Sequence, residues 1–70
     1  MTDSSYRFIV NGELMTVQAR TLSVLLERLQ LEASAIVAEV NGCIVPKEDF
    51  SRTILSDGDR IELVRFVGGG

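Results

Sequence analysis

From Tyr6 to Val10 aromatic and β-branched residues alternate with others, the two-residue period of a strand. Asn11-Gly12 follows at once, a dipeptide that favours a tight hairpin because both residues tolerate positive φ. Leu14 to Ala19 then reads as the returning strand, with Met15 and Val17 on one face, so a hairpin is expected over roughly residues 6–19. The period changes at Leu22. Leu22, Leu25, Leu26 and Leu29 stand at i, i+3, i+4 and i+7, one stripe of a helix expected over about residues 22–30, with Thr21 as its N-cap and Glu27 and Arg28 turned away.

Strand character resumes over Ile36 to Val40, and a second Asn-Gly closes it at Asn41-Gly42. Cys43, Ile44 and Val45 form a short apolar run that Pro46 ends, since proline donates nothing to a ladder. Lys47 to Phe50 fits one helical turn, Thr53 to Leu55 a short extended piece, and Asp57-Gly58-Asp59 a turn in which aspartate bonds its own backbone. The last strand is expected over Arg60 to Val67. One single-faced helix between an N-terminal hairpin and later strands favours an α+β domain with the helix on one face of the sheet.

Composition narrows what such a domain can do. A chain of 70 residues makes one domain, and at this size a core rarely supplies more than about 3–5 kcal/mol without staples. One cysteine excludes an internal disulfide, and the lack of any histidine leaves no ordinary zinc site and no usual nucleophile–base pair. The net charge is −3, with seven basic residues scattered among ten acids. That argues against a nucleic-acid role and for a partner with a basic docking surface. Met1 to Ser5 is short and polar, unlike a signal peptide, and no apolar run approaches a membrane span. The expectation is a cytoplasmic monomer of one domain, residues 1–67, with residues 1–5 disordered, that takes part in chemistry as a carrier or substrate rather than as an enzyme.

Its end carries the chemical information. Gly68-Gly69-Gly70 follows the last strand directly. Glycine has no side chain to bury, so the tail is expected to project as a flexible arm reaching roughly 10 Å when extended. An arm without Cβ atoms passes through a narrow channel and delivers its terminal carboxylate to a partner's reactive centre. An ionised carboxylate is a poor acyl group. Conversion to an acyl adenylate supplies a leaving group, and sulfide then displaces it to give a thiocarboxylate.

Val10-Asn11-Gly12, Thr21-Leu22 with Leu25-Leu26, Val40-Asn41-Gly42 with Ile44-Val45-Pro46, Asp57-Gly58-Asp59 with Ile61-Glu62, and Val67-Gly68-Gly69-Gly70 resemble, in order and spacing, the ThiS sulfur-carrier family of thiamin biosynthesis. The resemblance runs from about Arg7 to Gly70. It implies a ubiquitin-like β-grasp fold: a mixed sheet of four to five strands with one main helix packed on one face. It further implies that a ThiF-type adenylyltransferase uses ATP to activate Gly70, with Gly68 and Gly69 threaded into the partner's active site. The thiocarboxylate then passes sulfur to thiazole synthase. No cofactor or metal is implied for the carrier itself. The immediate sulfur donor stays open, a cysteine desulfurase being one class. Two rival readings share the Gly-Gly end: the small subunit of molybdopterin synthase, and a ubiquitin-like protein modifier. A third is an interaction module with an inert tail.

Partner contact is expected beside the tail. With Ile61 and Leu63 turned to the helix, Glu62, Val64 and Phe66 take the other face, and Val64 and Phe66 together with Ile9 are expected to form an apolar docking patch there. In ubiquitin-like families that face receives the activating enzyme. Cys43 reads as a small apolar residue beside a turn, the alternative being a thiol that relays sulfur. Asp57 and Asp59 read as turn formers rather than as an acid–base or metal pair, and Lys47-Glu48-Asp49 as a solvated turn.

Overall fold

The computed structural model describes residues 5–66. The element order is β1 (Ser5–Val10), β2 (Glu13–Gln18), α1 (Leu22–Arg28), β3 (Ile36–Val40), β4 (Cys43–Val45) and β5 (Arg60–Arg65), with 3₁₀ turns at Ala33–Ala35 and Lys47–Asp49. The strands form one sheet in the order β2-β1-β5-β3-β4. β1 runs parallel to β5, while β3 runs antiparallel to it. A mixed sheet with its C-terminal strand central and one helix on one face is the β-grasp arrangement.

Two hairpins flank β5, and each turns on an Asn-Gly pair. Asn11 and Gly12 hold φ of 51° and 82°, and Asn41 and Gly42 hold 52° and 86°. Two consecutive positive φ values define the I′ turn, whose twist matches that of the strands it joins. Both asparagine side chains then reach across to β5. The β1–β5 ladder runs through Ile9 N–H to the Asp59 carbonyl and Asn11 N–H to the Ile61 carbonyl, each at 2.9 Å. There the hairpin carries the chain away. The Asn11 amide supplies the next rung, donating from Nδ2 to the Leu63 carbonyl at 3.1 Å and accepting the Leu63 N–H on Oδ1 at 2.8 Å. Asn41 Oδ1 likewise accepts the Arg60 N–H at 3.0 Å. Two turn residues chosen for their φ thus also hold the central strand.

The helix starts at the expected cap: Thr21 is extended, and its Oγ1 accepts the Val24 N–H at 3.2 Å. It is shorter than expected. The helix ends at Arg28, with Leu29 as C-cap and Gln30 at a φ of 60°, a left-handed conformation that stops helical propagation. Leu22, Leu25 and Leu26 are buried, and Leu29 packs at the margin. They meet Phe8, Val10, Ile36, Ala38, Ile61 and Leu63 from the inner face of the sheet, closed at one end by Phe50 and Leu55. Burying one such side chain contributes about 1.5–3 kcal/mol, so this single layer holds the domain.

Other boundaries shift by a residue or more. β1 begins at Ser5, opposite Gln18, so Ser5 belongs to the sheet rather than to a disordered extension. Residues 1–4 lie outside the described residues, as does the rest of the expected tail from Val67 onward. Around Thr53 to Leu55 only Ile54 pairs, in an isolated bridge to Thr21, and β5 ends at Arg65. Asp57 bonds β1 rather than its own turn: Oδ1 accepts the Arg7 N–H at 2.7 Å, and Oδ2 meets the guanidinium at 3.1 Å. These hydrogen bonds, the backbone one first, hold the Asp57 carboxyl below its ordinary range. Asp59 does close its turn locally, accepting the Ser56 N–H at 2.8 Å.

Candidate docking site beside the C-terminal strand

β5 lies at the centre of the sheet and leads toward the chain end. Along it burial alternates: Ile61 and Leu63 are buried beneath the helix, while Glu62 and Val64 are exposed on the opposite, open face. Register decides what accompanies them. Val37 stands opposite Val64, Glu39 opposite Glu62, and Ile44 opposite Glu39. Val37, Ile44 and Val64 are 43%, 68% and 60% exposed. The open face next to the chain end therefore presents three large apolar side chains around two carboxylates.

The expected grouping of Val64, Phe66 and Ile9 does not come together in this way. Ile9 is half-buried and pairs with Arg60, four residues before Val64, about 13 Å along the strand at 3.3 Å per residue. Its apolar neighbour is Leu14, directly opposite on β2. Phe66 lies just beyond the strand, tied by its N–H to the Ala35 carbonyl at 2.6 Å, and is 62% exposed. It lines a shallow groove with Glu27, Leu31, Glu32 and Ala35, at the edge where the helix end meets the sheet. Alternation assigns the face of Val64 and Ile9 correctly but not their level along it, and it misplaces Phe66, which lies past the end of the strand. Phe66 and Val64 thus flank the end of β5 from two sides, and Ile9 stands apart.

The pattern along β5 assigns Glu62 to this face but does not bring Val37, Glu39 and Ile44 to it. The signal that could have found them is alternation within Ile36–Val40 and Cys43–Val45, but it becomes informative only once the strand order is known. Cys43 is an exposed thiol at the start of β4. Asp57 and Asp59 serve the turn before β5, at the end of the strand away from Val64. Among the described residues, no group of three or more His, Cys, Asp or Glu converges as a metal site would require, and no helix is long and apolar enough to cross a membrane. Gly68, Gly69 and Gly70 lie outside the described residues.

The profile of the ThiS family matches residues 7–70. The chain belongs to the ThiS family. A solved ThiS-family structure, the thiamine biosynthesis protein ThiS of Geobacter metallireducens, superposes with a TM-score of 0.78 at 34% identity, covering 91% of this chain and 99% of that one. The sulfur carrier protein ThiS of Bacillus subtilis is 44% identical over 50 residues, 71% of this chain and 76% of its own. A thiazole synthase of Paramagnetospirillum magneticum is 35% identical over 65 residues, 91% of this chain. The chain spans only 20% of that longer protein's length. ThiS-type sequence therefore occurs both as a small separate chain and within a much larger one.

Proposed function

We propose that this chain is the sulfur carrier for thiazole formation in thiamin biosynthesis, and that the Gly70 main-chain carboxylate is its working group. A family match that runs through Val67-Gly68-Gly69-Gly70 is the observation that supports this most directly. The carboxylate attacks the α-phosphorus of ATP on a ThiF-type adenylyltransferase, releasing pyrophosphate. A persulfide on the donor then attacks the acyl carbon and AMP leaves; a second thiol attacks the donor sulfur of the resulting acyl disulfide, which forms a disulfide with the donor and releases the thiocarboxylate. Thiazole synthase accepts that sulfur, and a cysteine desulfurase is the donor class proposed. These steps take place in the cytoplasm.

In this reading the carrier supplies no catalytic side chain. Its folded part presents β5, with Val64 on the open face and Phe66 at the adjoining groove, so that Gly68 and Gly69 reach into a partner's active site. ATP belongs to the partner's chemistry.

The test is intact mass spectrometry after incubation with ATP, an adenylyltransferase and a sulfide source. The expected product is heavier by roughly 16 Da, one oxygen replaced by sulfur at the carboxylate. A chain lacking Gly70 should fold normally, stay unmodified and fail to restore growth without thiamin. Growth restored by the truncated chain would overturn the reading, as would a mature protein extended beyond position 70.

A further inference from the structure

Glu39 and Glu62 oppose each other on neighbouring antiparallel strands. Side chains at such positions stand about 5 Å apart at Cβ, and like charges there repel. Neither glutamate joins an ion pair among the described residues, whose pairs are Arg7–Asp57 and Arg52–Asp49. The surroundings are unusual for charges placed only to aid solubility. Val37 and Val64 face each other on the next rung of the same face, and Ile44 stands beside Glu39, all three exposed. In the free chain the two carboxylates rely on water.

We infer that this face docks a partner surface bearing one arginine or lysine among apolar side chains, with its cation seated between Glu39 and Glu62. The partner is the adenylating enzyme, so the inference rests on the carrier reading above. Charge complementarity selects the occupant. Apolar contact at Val37, Ile44 and Val64 excludes water from the carboxylates, which raises the local strength of any charge interaction. A partner without a cation would trap two uncompensated negative charges and be rejected. A partner with one relieves the repulsion that the free sheet carries. A guanidinium, planar and multidentate, suits two facing carboxylates better than an ammonium. The same pair discriminates against acidic surfaces, giving a chain of net charge −3 a specific partner rather than a general affinity for basic proteins.

The geometry sets stability and binding in opposite directions. Removing the repulsion by Glu39→Gln, Glu62→Gln or both should leave the free chain as stable as before or more so. Affinity for the adenylating enzyme should fall, by roughly threefold to tenfold for each single change and further for the pair, at low ionic strength. Raising salt should shrink the difference only slightly, because a charge pair closed off from water is screened much less than an exposed one. The measurements are calorimetric titration of each full-length chain against the purified enzyme at two salt concentrations, with urea denaturation of each chain alone. Unchanged affinity in the double variant overturns the proposal. So does a loss that tracks a lowered urea midpoint, or one that salt abolishes as it does for an exposed pair. Wild-type loading followed by mass tests the carrier reading separately. A loaded wild type with a tight-binding double variant defeats this inference alone, whereas a wild type that neither binds nor loads defeats both.

Discussion

Asn11 should matter to this fold well beyond its place in a turn. Its amide makes two hydrogen bonds to the Leu63 backbone, at 2.8 and 3.1 Å, in a partly buried setting. Each such bond contributes about 0.5–1.5 kcal/mol net, so the pair is worth about 1–3 kcal/mol. Alanine at this position loses both bonds and must also hold a φ of 51°, at a further cost of roughly 1–2 kcal/mol for a residue with a Cβ. Against a total near 3–5 kcal/mol for a core of this size, a combined loss of about 2–5 kcal/mol should leave Asn11→Ala only marginally stable. Glycine adopts the φ freely, although its greater freedom in the unfolded chain offsets part of that advantage. Asn41 provides the internal comparison. Its φ of 52° is nearly the same, but its side-chain bonds to Asp59 and Arg60 are exposed, where water replaces them readily. Asn11→Gly should therefore cost about 1 kcal/mol more than Asn41→Gly, because the partly buried rung is harder for water to replace. Urea denaturation followed by far-ultraviolet circular dichroism reads this directly, as a lower midpoint at unchanged slope. Equal losses for the two glycine variants, or an Asn11→Gly midpoint at the wild-type value, would refute the rung.

Phe66→Asp should leave stability within about 0.5 kcal/mol, since the side chain is mostly exposed. It should weaken binding to the adenylating enzyme by replacing an exposed apolar contact with a carboxylate; an unchanged titration would remove Phe66 from the interface. Asp57 has a lowered carboxyl pKa in the folded state, so its charge stabilises the fold above the ordinary aspartate value and loses that effect as pH falls through the lowered one. The wild-type urea midpoint should exceed that of Asp57→Asn at neutral pH; the gap should begin to narrow below about pH 4 and close once pH has fallen through the lowered carboxyl value. A gap that persists into stronger acid would place the benefit in packing rather than charge.

Local chemistry made most of the fold legible. The two Asn-Gly pairs, the leucine stripe from Leu22 and the Thr21 cap each encode structure through their neighbours in sequence, and each lies where expected. The helix end was misread because Leu29 continues the stripe, while the left-handed Gln30 that stops it carries no glycine to announce the break. Asp57 was misread for a different reason. Its partner Arg7 is 50 residues away in sequence, and nothing in Asp57-Gly58-Asp59 distinguishes a carboxylate that bonds its own turn from one that bonds a neighbouring strand.

The docking surface shows where such reading stops. Alternation along β5 fixes that Val64 looks away from the helix, and alternation along β1 fixes the same for Ile9, but a patch requires a common level as well as a common face. That level follows from the parallel register, Ile9 against Arg60, which is a property of two strands and not of either one. A second register hides the opposition of Glu39 and Glu62: each is an ordinary polar position in its own strand, and only the antiparallel pairing of β3 with β5 makes them face each other. Once opposed, they face each other across the ladder, and neither forms an ion pair among the described residues. Such a feature is difficult to explain by the fold alone, and becomes intelligible if the sheet is one half of an interface whose other half brings the missing positive charge.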